Sequence, residues 1–108
     1  MSIHEPTIRL NGELTIYQVG ERYEQLHLAL QQCSSEQSSE KQPSLMIDTS
    51  ELIEVDSAGL QLLVQLAQQA RQMDIAIRWQ SPSAALTQMI ELYNAAQWFE
   101  NTSKARQS

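Results

Sequence analysis

Few residues in this sequence are of a type and spacing that could do chemistry. Asp48 and Asp56 each follow a short apolar run, and two carboxylates at neighbouring strand and loop ends could share a divalent cation. The commoner role of such acids is to cap turns and helices, and that reading outweighs the metal. Asp56 opens the run Asp56-Ser57-Ala58-Gly59-Leu60. At the start of a helix it would accept the free amides of the first turn, with the Ser57 hydroxyl near the exposed helix end. Gly59 keeps side-chain bulk away, so another protein could come close. One reading of Asp56 and Ser57 is that they start a helix and do nothing more. The other makes Ser57 a phosphoacceptor. A phosphate there would meet the positive end of the helix dipole. It would also add about −1.5 to −2 charges beside Asp56, Glu54 and Glu51. A partner docked over that surface would be repelled while the fold stayed intact.

The other chemical residue types form no constellation. His4 and His27 have no acid at metal-ligand spacing. The glycines are scattered as Gly12, Gly20 and Gly59, and none is followed by Lys-Ser/Thr, so there is no phosphate-binding loop. Ser57 lacks the small-residue frame of a nucleophile elbow and a histidine to activate it. The expectation is a non-enzyme without cofactor or metal. The one cysteine, Cys33, excludes an intrachain disulfide framework and a multi-cysteine zinc site.

The 108 residues suffice for one domain, and 42% apolar against 19% charged residues is too apolar for disorder. The formal charge of −6 works against nucleic acid and anionic lipid as partners. The stretch Met1 to Gly12 carries charge and Pro6 and reads as no secretory signal. No window is apolar enough to span a membrane, so the expected location is the cytoplasm.

Around these residues the periodicities set out a layered α/β domain. Asn11-Gly12 between strand formers predicts a hairpin, with strands at about 7–10 and 13–18. Tyr23, Leu26, Ala29, Leu30 and Cys33 form a helical stripe after Gly20. Residues 34–44 read as a flexible polar loop. Leu45-Met46-Ile47 reads as an interior strand covered on both faces, followed by a brief turn through Leu52, Ile53 and Val55. Leu60, Leu63, Val64, Ala67 and Ala70 oppose Gln61, Gln65, Gln68, Gln69 and Gln72, which predicts an amphipathic helix over 57–72. Ile75, Ile77 and Trp79 predict a strand at 74–79. Ser81-Pro82 reads as the N-cap and first position of a third helix, packed down by Leu86, Met89, Ile90 and Tyr93. Trp98-Phe99 is a last short strand or an apolar plug, and 101–108 a polar tail.

Gly12-Glu13-Leu14-Thr15-Ile16-Tyr17, Met46-Ile47-Asp48-Thr49-Ser50, Val55 through Leu63 and Ser81-Pro82-Ser83 together resemble the STAS family, the domain of bacterial anti-sigma factor antagonists. Their spacing matches over residues 7–99, with the Asp-Ser-Ala-Gly-Leu piece the most specific. The resemblance implies a single STAS domain with a mixed four- to five-stranded sheet and helices packed largely on one side. It implies Ser57 as the phosphorylated serine and Asp56, Gly59 and Asp48 as support for the phosphoacceptor loop. Many members carry a second hydroxyl where this chain has Ala58, which leaves Ser57 the one acceptor in the motif. Implied partners are a serine kinase of the histidine-kinase-like ATPase fold, which doubles as anti-sigma factor, and a PP2C-type phosphatase. Ser57, Ala58, Gln61, Gln65 and Gln68 would meet the partner when Ser57 is unmodified. The opening and the Gly-Leu-Gln-Leu-Leu helix look like the small members found in chemotaxis gene clusters. A different class is a constitutive STAS subunit of a phospholipid transport ATPase, where the same helix face binds the ATPase.

Overall fold

Alternation along the first strand already fixes which way the sheet faces. In the computed structural model, which describes residues 6–35 and 43–100, β1 (Thr7–Leu14) buries Leu10 and Leu14 and exposes Arg9, Asn11 and Glu13. After the helix α1 (Val19–Ser35), the strands β2 (Ser44–Val55) and β3 (Ala76–Gln80) complete the central layer. The strands run in the order β1-β2-β3 and both pairings are parallel.

The hairpin expected at Asn11-Gly12 does not form; in place of the expected mixed sheet of four to five strands, the described residues hold three strands, all parallel. A hairpin needs an extended return arm, but Thr15 to Gln18 closes into a turn, with the Gln18 and Val19 amides donating to the Thr15 carbonyl. Gly12 spends its positive φ (76°) inside an unbroken strand. The register with β2 slips there twice, between Arg9 and Asn11 and between Gly12 and Glu13. β2 supplies the extra residue each time, so ten of its residues, 46–55, lie along the eight of β1. Leu52, Ile53 and Val55 therefore prolong the strand instead of turning.

Burial on β2 is less regular: Leu45 and Ile47 to Thr49 are buried, Met46 is half-buried and Ser50 is exposed. On β3, Ile77 and Trp79 are buried while Arg78 and Gln80 are exposed. One sheet face is thus open, contrary to a strand covered on both sides. The helices pack on the other face, where α2 (Ser57–Gln72) touches all three strands, α1 and α3 (Ala84–Leu92). Leu10, Leu14, Leu26, Leu30, Leu45, Ile47, Leu63 and Leu86 are fully buried between the layers, each contributing about 1.5–3 kcal/mol.

α2 has the bounds its pattern predicts. In the stripes of α1 and α3, Leu26, Leu30, Cys33, Leu86 and Ile90 are buried, but Tyr23 and Tyr93 stand out in solvent. Ser83, not Ser81, caps α3: its hydroxyl accepts the Leu86 amide at 3.1 Å, while Ser81 sits at a φ of 47°. The cap lies three residues before the amide it satisfies, which for Leu86 is Ser83, and Ser81 lacks the extended backbone of an N-cap. Ala96–Trp98 forms a short 3-10 helix, and the Phe99 ring lies 4.6 Å from that of Trp79, a plug and not a strand. Of the polar loop expected at 34–44, Ser34 and Ser35 are helical and Ser44 is in β2. Residues 36–42, His4 and the tail at 101–108 lie outside the described residues. Among the described residues no helix is long and apolar enough to cross a membrane.

Candidate functional site

β2 delivers the chain to the end of the sheet at Val55, and α2 starts two residues later. Asp56, in extended conformation, is its N-cap. One carboxylate oxygen accepts the Gly59 amide at 2.9 Å. The other accepts the Ile16 amide at 3.0 Å, from the loop between β1 and α1. These hydrogen bonds, Gly59 first, hold the Asp56 carboxyl below the usual carboxylate range against the smaller opposing effect of burial. The Asp56 amide itself donates to the Leu14 carbonyl at 3.4 Å.

Gly59 packs on that same carbonyl, and a Cβ at this position would overlap it. The glycine the sequence suggested would keep an approach open to other proteins is instead filled by this chain's own backbone; its role is to let α2 close on the end of β1. Ala58 is half-buried and Ser57 exposed on the first turn of α2. Gln61, Gln65 and Gln68 continue the exposed ridge from Ser57.

Asp48 is not part of this cluster. It lies on β2 with its carboxylate on the Ser50 amide at 3.0 Å and 3.5 Å from the Arg9 guanidinium. The Ser50 amide chiefly, with Arg9 adding, pulls its carboxyl below the usual range. Seven residues of largely extended chain separate it from Asp56, roughly 20 Å or more, too far to share one cation. No group of three or more His, Cys, Asp or Glu side chains capable of holding a metal occurs among the described residues.

Residues that the sequence reading gave to a strand complete the site. The Gln18 side-chain oxygen accepts both the Thr15 amide (2.9 Å) and the Thr15 hydroxyl (2.7 Å), and the Thr15 hydroxyl accepts the Tyr17 amide at 3.3 Å. This ties the loop down and leaves Ile16 and Tyr17 60% and 90% exposed beside Asp56. The signal was present as Thr15-Ile16-Tyr17-Gln18, the Thr-x-x-Gln spacing of a capping box. Two grooves flank the ridge. One, of about 410 Å³, runs between α1 and α2 past Val19, Tyr23, Ala58, Leu62 and Gln65. The other, of about 340 Å³, lies between α2 and the segment after α3, past Ser57, Leu60, Val64, Tyr93 and Trp98. Gln61 borders both.

The arrangement provides an exposed hydroxyl on a helix end beside two clefts. No curated protein matches the sequence. A family model described as "Mlab, STAS domain" matches residues 1–100. Domains of this kind commonly interact with anti-sigma-factor kinases and PP2C phosphatases. With that match over most of its length, the chain belongs to the STAS domain family, whose members are non-catalytic regulatory modules.

Proposed function

We propose that this chain is a phosphorylation-switched docking module of the anti-sigma-factor-antagonist kind. Unmodified, its α2 end binds a serine kinase of the histidine-kinase-like ATPase fold, or an equivalent chemotaxis-linked partner. Phosphorylation of Ser57 releases that partner, and a PP2C-type phosphatase resets the site. The observation that carries this reading is the exposed Ser57 on the first turn of α2, between two grooves and backed by the Asp56 clamp. Ser57, Ala58, Gln61, Gln65 and Gln68 form the contact ridge, and the exposed Ile16 and Tyr17 extend it. A phosphate at Ser57 places about two negative charges over this ridge, next to Asp56 and near Glu54. A partner seated there loses two or more decades of affinity through repulsion and desolvation.

The test is incubation with ATP and the candidate kinase, read by intact mass. Wild type gains one phosphate and Ser57→Ala gains none. Ser57→Asp binds the partner more weakly than wild type but more tightly than the phosphorylated protein, since one carboxylate carries less charge than a phosphate. A partner that docks on α2 with no phosphate transferred by any candidate kinase would replace this reading with constitutive docking, as in a STAS subunit of a phospholipid transport ATPase.

A further inference from the structure

The outer edge of β1 has no strand beside it among the described residues, because β1 ends the sheet. Such an edge offers a row of backbone donors and acceptors to any extended chain. Its side chains say which chain fits. Arg9 and Glu13 both lie on the open face, each two positions from Asn11. The Arg9 side chain leans on Asp48 yet stays 65% exposed. Glu13 is in register with Glu54, a like charge, and no cation pairs with it among the described residues. Like charges opposed across a ladder destabilise it. A cation beside Glu13 would relieve that repulsion, and Arg9 has donors to spare.

We infer that β1 pairs antiparallel with β1 of a second copy of this chain about a two-fold axis at Asn11, forming a six-stranded sheet. Arg9 then stands opposite Glu13 of the second copy, and Glu13 opposite its Arg9. On the inner face Ile8 meets Leu14, and Leu10 meets Gly12, whose missing side chain leaves room and whose φ of 76° has to become extended as the ladder forms. The other registers do not satisfy the charges. An axis at Arg9 or Glu13 opposes like residues, and an axis at Leu10 or Gly12 joins neither charge to its opposite. An axis between two residues would turn the apolar side chains outward. The contact is closed and isologous, so it uses up this edge. Edge pairing covers less area than a standard interface, which makes this a weak, concentration-dependent association. Ser57 lies at the end of the sheet where β1 finishes, so the two copies carry their α2 ends at opposite ends of the joined sheet, clear of the contact. The inference is independent of the docking function proposed above.

Sedimentation equilibrium of the full chain tests it. Wild type self-associates, and Arg9→Glu and Glu13→Arg each weaken association about tenfold or more. An equimolar mixture of those two variants restores it, because a strand with two acids meets a strand with two bases; the double variant, self-complementary again, also restores it. Independently of folding effects in the charge variants, Asn11→Cys combined with Cys33→Ser forms a covalent dimer on oxidation, whereas Gln80→Cys on the opposite edge strand does not. A wild type that stays monomeric up to about 500 µM overturns the inference. So does association that neither reversal weakens, or a mixture of the two variants that stays monomeric.

Discussion

The Asp56 carboxylate receives one amide from Gly59, three residues ahead, and another from Ile16, forty residues back. It thereby fastens the β1–α1 loop to the first turn of α2. Asp56→Ala removes both acceptors and costs about 1–2 kcal/mol at neutral pH, measured by urea unfolding. Because the folded-state pKa lies below the unfolded one, the contribution is fully present above about pH 4 and is lost as pH falls through the folded value. The wild-type and Asp56→Ala stability curves therefore converge on acidification below about pH 4. A difference that persists to pH 2 would show that charge is not what holds the clamp. Of this cluster, Asp56 and Ser57 were legible because a helix start has a local signature. Ile16 was not, since its amide meets Asp56 only once the two segments have been brought together. Asp48 shows the same limit from the other side: an acid after an apolar run looks like a strand end, but β2 continues for seven more residues.

At the scale of elements, α2 was readable to the residue because its apolar and glutamine faces separate cleanly and its cap is local. β1 was misread because Asn-Gly tolerates positive φ in a hairpin and in an irregular parallel strand alike, and only pairing with β2, far along the sequence, decides between them. Where α2 meets β1, Gly59 sits on the Leu14 carbonyl with no room for a Cβ. Gly59→Ala must push the helix end away from the strand, since the obstacle is backbone. We expect a loss of about 3 kcal/mol or more, seen as a lower urea midpoint. Gly20→Ala, where a Cβ meets nothing within 4 Å, is the matched control and changes stability little. Equal stabilities for the two variants would contradict the close approach.

The whole molecule divides its surface by purpose. One sheet face and the β1 edge carry alternating charge, while the far end, where α2 and the β1–α1 loop meet, carries exposed apolar and uncharged side chains. The net charge of −6 keeps such apolar exposure soluble and favours partners with basic surfaces. Partner association should therefore slow as ionic strength rises, while the dissociation rate changes less; stopped-flow rates from about 50 to 500 mM salt would check this, and salt-independent association would argue against electrostatic steering. The Leu14 carbonyl, held by the Asp56 amide and covered by Gly59, has one more implication. Enzymes that modify serines in loose segments thread the substrate as an extended strand, and this serine cannot be drawn out that way without undoing the helix. A kinase acting on Ser57, as proposed above, would have to recognise a folded surface, so a synthetic peptide spanning residues 50–64 should be a poor substrate even where the intact domain is a good one.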